Sequence, residues 1–270
     1  MRNTTPLLLT LLLTASSFAL TEVDVPEEKP APPAAPALKD AKLDLAPLEK
    51  IPPQKFSIHR LRGDGEIPVG SLALTTKLQK DAVTFEDTYT ETRGGGDLVY
   101  TLTTTTTRTP ALSPTAMTCK NKLNTMEQTF KVAVKEGTAT VTAEGGAKVR
   151  DRTFNLSDNT PTWFGLFRIA PLLPRDKEQS WTVPALLHDF RLRPRDRELT
   201  ITAHGLKPTF VDGKKVQWHY ITIVPSNVDN VPDRDKIEIW LDDKGDLREL
   251  YIEDLRFTRI TEKPAPAKKD

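Results

Sequence analysis

The 270-residue chain has one cysteine, Cys119, so no intrachain disulfide can form and a four-cysteine zinc site is excluded. It has no charge excess: Lys+Arg total 38 and Asp+Glu total 37. That balance excludes a dedicated nucleic-acid binder, which carries a basic surplus. Aromatics make up only 7% and histidines number four. None of the histidines falls in an HExxH or His-x-His arrangement, and no cofactor is expected. His204 and His219 could sit on neighbouring strands, yet their spacing carries no metal signature. There is no Gly-x-Ser-x-Gly elbow, no Ser-x-x-Lys motif and no phosphate loop; Gly94-Gly95-Gly96 lacks the lysine and the following helix. The sequence therefore predicts a protein that is not an enzyme.

No apolar run reaches the roughly 20 residues of a membrane-spanning helix. The short one at Leu7–Leu13 follows Arg2 and precedes Ser17-Phe18-Ala19, a small-x-small pattern. Residues 1–19 read as a signal peptide cleaved between Ala19 and Leu20. The expected product is secreted or periplasmic, with no transmembrane span. Residues 20–53 hold eight prolines and no aromatic residue. Such a segment is expected to be a disordered, semi-rigid linker. Residues 262–270 read as a disordered tail, leaving a folded domain over 54–261.

What is abundant in that domain is alternation. Val83, Phe85, Asp87 and Tyr89 share one phase, as do Phe130, Val132 and Val134. Further strands are expected over 67–78, 98–109, 139–142, 149–154, 199–203, 216–224, 236–241 and 247–260. Glycine turns at Gly63-Asp64-Gly65, Glu136-Gly137, Asp212-Gly213 and Asp242–Gly245 separate them. In the last strand, Leu250 and Ile252 are out of phase with Leu255 and Phe257, and a bulge near Glu253-Asp254 would reconcile them. The aspartates around the final hairpin match no calcium loop and suit turn chemistry instead.

One segment breaks the pattern. Trp163, Phe164, Leu166, Phe167 and Ile169 surround a short helix in which only Arg168 is charged. Thr160 is the expected N-cap with Pro161 at the first helical position, and Pro171 ends the helix. A helix apolar all round must be buried. The fold class is thus mainly β: a single curved antiparallel sheet, a half-barrel, with one short apolar helix plugging its concave face.

The run Phe164-Gly-Leu-Phe-Arg168-Ile-Ala-Pro171-Leu-Leu-Pro174, then Trp181-Thr-Val183, Gly213–Val216 and the Ile239–Gly245 hairpin, resembles a family of secreted bacterial domains of unknown function. Those domains are similar in shape to unclosed barrels of the lipoprotein-carrier type. The resemblance is carried mainly by residues 160–252 and implies a half-barrel with an internal helix. It implies no catalytic residues.

The expected function is a non-catalytic binding or carrier module for an apolar, lipid-like or amphipathic ligand in the cell envelope. Its candidate ligand-binding residues are Trp163, Phe164, Phe167, Trp218 and Tyr220. Trp163 and Phe167 lie one helical turn apart, and Trp218 and Tyr220 alternate on one strand face, so the two pairs are expected to meet. A structural protein of the envelope with a filled core is the alternative, and an envelope hydrolase ranks third. Cys119 reads as a bystander thiol that serine could replace without effect. The arginines of Arg191–Arg197 read as protection for a strand edge.

Overall fold

The structure is a computed structural model. It describes residues 34–261, apart from 64, 94–95, 145–150, 158, 189–191, 196–197, 212, 227–230 and 233–235. The chain divides into two units, Met1–Ala34 and Ala35–Asp270. The expected signal peptide and the Ala19–Leu20 cleavage point lie outside the described residues, as does the tail 262–270. Every strand and helix among the described residues belongs to the second unit.

Strands dominate because β-branched residues alternate with apolar ones along most of the chain. The first meander runs β1 (Gln54–Arg62), β2 (Gly65–Leu78), β3 (Ala82–Arg93), β4 (Gly96–Thr107), β5 (Pro114–Leu123), β6 (Met126–Lys135), β7 (Thr138–Glu144) and β8 (Arg152–Asn155). Helix α1 (Trp163–Ile169) and a 3-10 turn (Ala170–Leu172) follow. Then come β9 (Gln179–Val183), β10 (Leu186–His188), β11 (Arg193–Arg195), β12 (Leu199–Val211), β13 (Lys214–Pro225), β14 (Ile237–Leu241), β15 (Leu247–Ile252) and β16 (Leu255–Arg259).

Fourteen strands form one antiparallel sheet in the order β8-β7-β6-β5-β4-β3-β2-β1-β16-β15-β14-β13-β12-β9. β8 and β9 are its two edges, so it does not close into a barrel. β10 and β11 make a separate hairpin that carries part of the arginine segment. The seam of the large sheet is β1 against β16, where Ile58 faces Phe257. One face of the sheet carries Phe56, Leu72, Val83, Phe85, Leu102, Met117, Val132, Ile201, Ile221, Ile239, Leu250 and Phe257, all in one buried cluster with α1. The unclosed antiparallel sheet with a short helix inside it is the architecture expected from the sequence.

Four local expectations change. Residues 247–260 form two strands, not one bulged strand. Glu253 takes φ +56° and turns the chain, so that Leu250 pairs with Phe257 and Ile252 with Leu255. The phase break in the sequence is a two-residue hairpin, and both apolar pairs face the core. Second, α1 starts two residues late. Thr162, not Thr160, accepts the backbone N–H of Gly165 at 2.9 Å. The Pro161 carbonyl accepts from Leu187 N–H, which ties the chain before it can turn helical, and the Thr160 hydroxyl lies 2.9 Å from that of Ser157. Third, β1 and β5 are full strands where none was expected.

Fourth, the segment preceding β1 is packed from residue 35 onward, although its composition predicted a free linker. Leu38 and Leu48 are fully buried in the core cluster and Leu45 nearly so. Thr182 donates its N–H to the Pro36 carbonyl, and Ala37 bridges Thr182 in parallel. The segment thereby covers the outer edge of β9, an edge that otherwise presents unpaired backbone groups. Leucines spaced along a proline-rich stretch gave enough apolar area to offset its ordering cost.

Candidate functional site

The concave face and its helix form the best-defined constellation in the molecule. Every residue of α1 is buried, Arg168 included. An arginine cannot shed its charge in a protein, so it must bring its partners with it. The partner is Asp87 on β3, in the same strand phase as Val83, Phe85 and Tyr89 and therefore aimed at the core. Arg168 Nη2 forms an ion pair with Asp87 Oδ1, with side-chain exposures of 4% and 2%. The same nitrogen donates to the Thr75 carbonyl at 3.1 Å, Nε donates to Thr76 Oγ1 at 2.9 Å, and Nη1 donates back to the Phe164 carbonyl at 2.9 Å. The guanidinium also lies 4.1 Å from the centre of the Phe85 ring. Burial pushes the Asp87 carboxyl above its ordinary range, and the Arg168 charge opposes that push.

This arrangement anchors; it does not move protons. Asp87 is neutralised by a group with no proton to lose, and the arginine's donors are spent on fixed acceptors. A second buried acid on the same face, Glu91, is held in the same manner by Arg60 Nη2 at 2.9 Å and the Tyr89 hydroxyl at 3.0 Å.

The five residues proposed from the sequence separate into two groups. Trp163, Phe164 and Phe167 lie together in the core, with Phe164 and Phe167 ring centres 5.7 Å apart. Trp218 and Tyr220 do not meet them. Along β13 it is Ile221 and Ile223 that enter the core cluster, and alternation turns Tyr220 and Trp218 to the other face. There Tyr220 stacks with His204 at 5.3 Å and packs against Trp240 at 4.4 Å. The expected contact between helix and strand aromatics is thus corrected: the apolar phase of β13 is its isoleucine phase.

The remaining candidates sit in local hydrogen-bond networks or in the core. His204 is held by Thr222 at 2.8 Å and Glu178 at 3.3 Å. Among the described residues no group of three or more His, Cys, Asp or Glu could hold a metal ion. Cys119 is buried on β5, opposite Leu102 and Phe130. Asp242 closes the β14–β15 turn. It accepts backbone N–H groups from Lys244 at 3.0 Å and Asp246 at 2.9 Å, and Nε–H of Arg248 at 2.7 Å. Burial pushes its carboxyl up, but these donors together outweigh it and hold it below the ordinary range. Gly245 in this turn has φ +85°, and a Cβ there would meet the Arg175 guanidinium at 2.5 Å.

The signal for the anchor was present in the sequence: one arginine in an otherwise apolar helix, and one aspartate in the apolar phase of a strand. Each looks anomalous alone, and they answer each other.

Among the described residues no helix is long and apolar enough to cross a membrane. No protein-family model matches the chain, and no curated protein does. Among solved structures, a DUF1089 family protein from Pseudomonas aeruginosa is similar at 11% identity, over 65% of this chain and 86% of that one, with a TM-score of 0.36. That likeness is to a bacterial domain of unknown function and is too remote to transfer a ligand or an activity.

Proposed function

We propose that this chain is an exported, non-catalytic binding module of the cell envelope that takes an apolar or amphipathic ligand on the concave face of its sheet. The observation that carries the reading is α1. Seven residues are too few to hold a helix in isolation, so α1 exists because the concave face is apolar enough to bury it whole. A surface that an apolar helix covers is one that an acyl chain could cover if the helix withdrew. The helix lies between Pro161 and Pro171, and its one charged residue, Arg168, is tied to Thr75, Thr76 and Asp87. Carriage of a lipoprotein-like cargo would be one form of this activity. The same packing favours a second reading, a structural envelope protein whose core is permanently filled.

Two measurements separate them. Native mass spectrometry of protein purified from its host should reveal a co-purifying lipid-like molecule. A fluorescent fatty acid should bind the wild type, and should bind Arg168→Met more tightly, because the closed helix taxes the apparent affinity. If no lipid co-purifies and neither protein takes up the probe, the filled-core reading stands.

A further inference from the structure

The β12–β13 hairpin outgrows its neighbours. β9 pairs with β12 only over Leu199–Ala203, and β14 pairs with β13 only over His219–Ile223. Beyond those limits Leu206–Val211 and Lys214–Trp218 form a two-stranded ribbon with no further strand paired on either side among the described residues. The ribbon starts at a bulge, where His204 and Gly205 together oppose Tyr220.

Its side chains are wrong for a ribbon that faces only water. Leu206 is 55% exposed and Phe210 is 70% exposed, the two highest values among large apolar residues of this half of the sheet. They share one face with exposed Pro208, since Leu206, Pro208 and Phe210 lie two residues apart. Val211, Val216 and Trp218 occupy the other face, half-buried. Lys215 pairs with Phe210 and shares its face, whereas Lys207 pairs with Trp218 and Lys214 with Val211 on the other face; all three lysines are exposed. Residues 206–218 hold three lysines and a single acid in sequence, Asp212.

We infer that this ribbon docks on the surface of an anionic phospholipid bilayer. Phe210 and Leu206 enter the boundary between headgroups and acyl chains, while the lysines reach back to lipid phosphates along their aliphatic stems. The free outer edges of the ribbon carry backbone N–H and C=O groups that need polar partners. The ribbon therefore lies at headgroup depth and does not cross the hydrocarbon. Charge decides against a second copy of this chain as the occupant, because pairing two ribbons would bring six lysines together. This inference does not depend on a ligand entering the concave face.

The test uses the full chain and vesicles of phosphatidylcholine with or without phosphatidylglycerol. The protein should pellet with the anionic vesicles, with an affinity gain of roughly fivefold per engaged lysine that fades as salt rises. Phe210→Ser combined with Leu206→Ser should abolish pelleting. Lys214→Glu combined with Lys215→Glu should remove the preference for anionic lipid. All four positions are exposed, so circular dichroism melts should not change. A wild type that stays in the supernatant with anionic vesicles, or a Phe210→Ser/Leu206→Ser protein that pellets undiminished, overturns the inference. So does a lipid-free dimer that these same substitutions convert to a monomer, since a second copy would then occupy the ribbon.

Discussion

Replacing Arg168 by methionine keeps the aliphatic stem against Phe85 and removes the charge. Asp87, only 2% exposed, then loses its cation. Thr75 and Thr76 lose the donors that satisfied them. Leaving one member of a buried pair behind costs about 3–5 kcal/mol. That is a large share of the roughly 5–15 kcal/mol by which a domain is stable. At about 2–4 °C per kcal/mol for a unit of this size, the melting midpoint should fall by roughly 6–20 °C. Removing both charges, with Arg168→Met and Asp87→Leu together, should recover most of the loss, because the desolvation cost of the pair disappears with it. The two single variants and the double variant form a cycle whose coupling energy is read from urea titrations followed by circular dichroism. An Arg168→Met protein within about 1 kcal/mol of wild type, or a double variant as unstable as the singles, would refute the claim that this pair fixes the helix.

Three more outcomes are expected. Phe167→Ala, which empties a fully buried aromatic site, should cost about 3–5 kcal/mol in the same titration, and a loss below about 1 kcal/mol would mean that α1 packs loosely. Cys119→Ser should destabilise by about 1–3 kcal/mol, because a hydroxyl would enter the core beside Leu102 and Phe130; this reverses the expectation from sequence, and Cys119→Ala should be the milder change. Asp242 has its carboxyl held low in the folded state, so its contribution is complete above the ordinary aspartate value of 3.8 and is lost as pH falls below it. The stability deficit of Asp242→Asn should accordingly be largest at neutral pH and shrink towards pH ~3, and a deficit constant with pH would contradict the assignment.

The sheet was legible where alternation was strong. Val83, Phe85 and Tyr89 marked β3, and Ile237, Ile239 and Leu241 fill the core phase of β14. β5 escaped notice because only Met117 and Cys119 are apolar and buried along its middle, and Pro114 opens it. The turn at Glu253-Asp254 lacks the glycine or asparagine that usually marks positive φ, so the phase break suggested a bulge. Leu38 and Leu48 were invisible among prolines because their burial depends on β9 and β2, elements distant in sequence. Pairing order belongs to the same class: nothing local in β1 announces that β16 lies beside it. At the candidate site the helix aromatics were readable from their periodicity. The Arg168–Asp87 pair was not, since two anomalies 81 residues apart become one feature only in three dimensions.

The seam between β1 and β16 bears on how the chain must assemble. Ser57 donates to the Thr258 carbonyl across 201 residues of sequence, and Ile260 donates to the Lys55 carbonyl at 2.7 Å. A ribosome therefore delivers β16, the strand that completes the middle of the sheet, only after the other fifteen described strands. Until then the first meander, β1–β8, carries an open edge at β1 that any passing strand can extend. The entropic toll of closing so long a loop grows only with the logarithm of its length, so the finished seam loses little stability. The burden falls on time: a pairing this remote slows folding and lengthens the interval in which the β1 edge is exposed to aggregation.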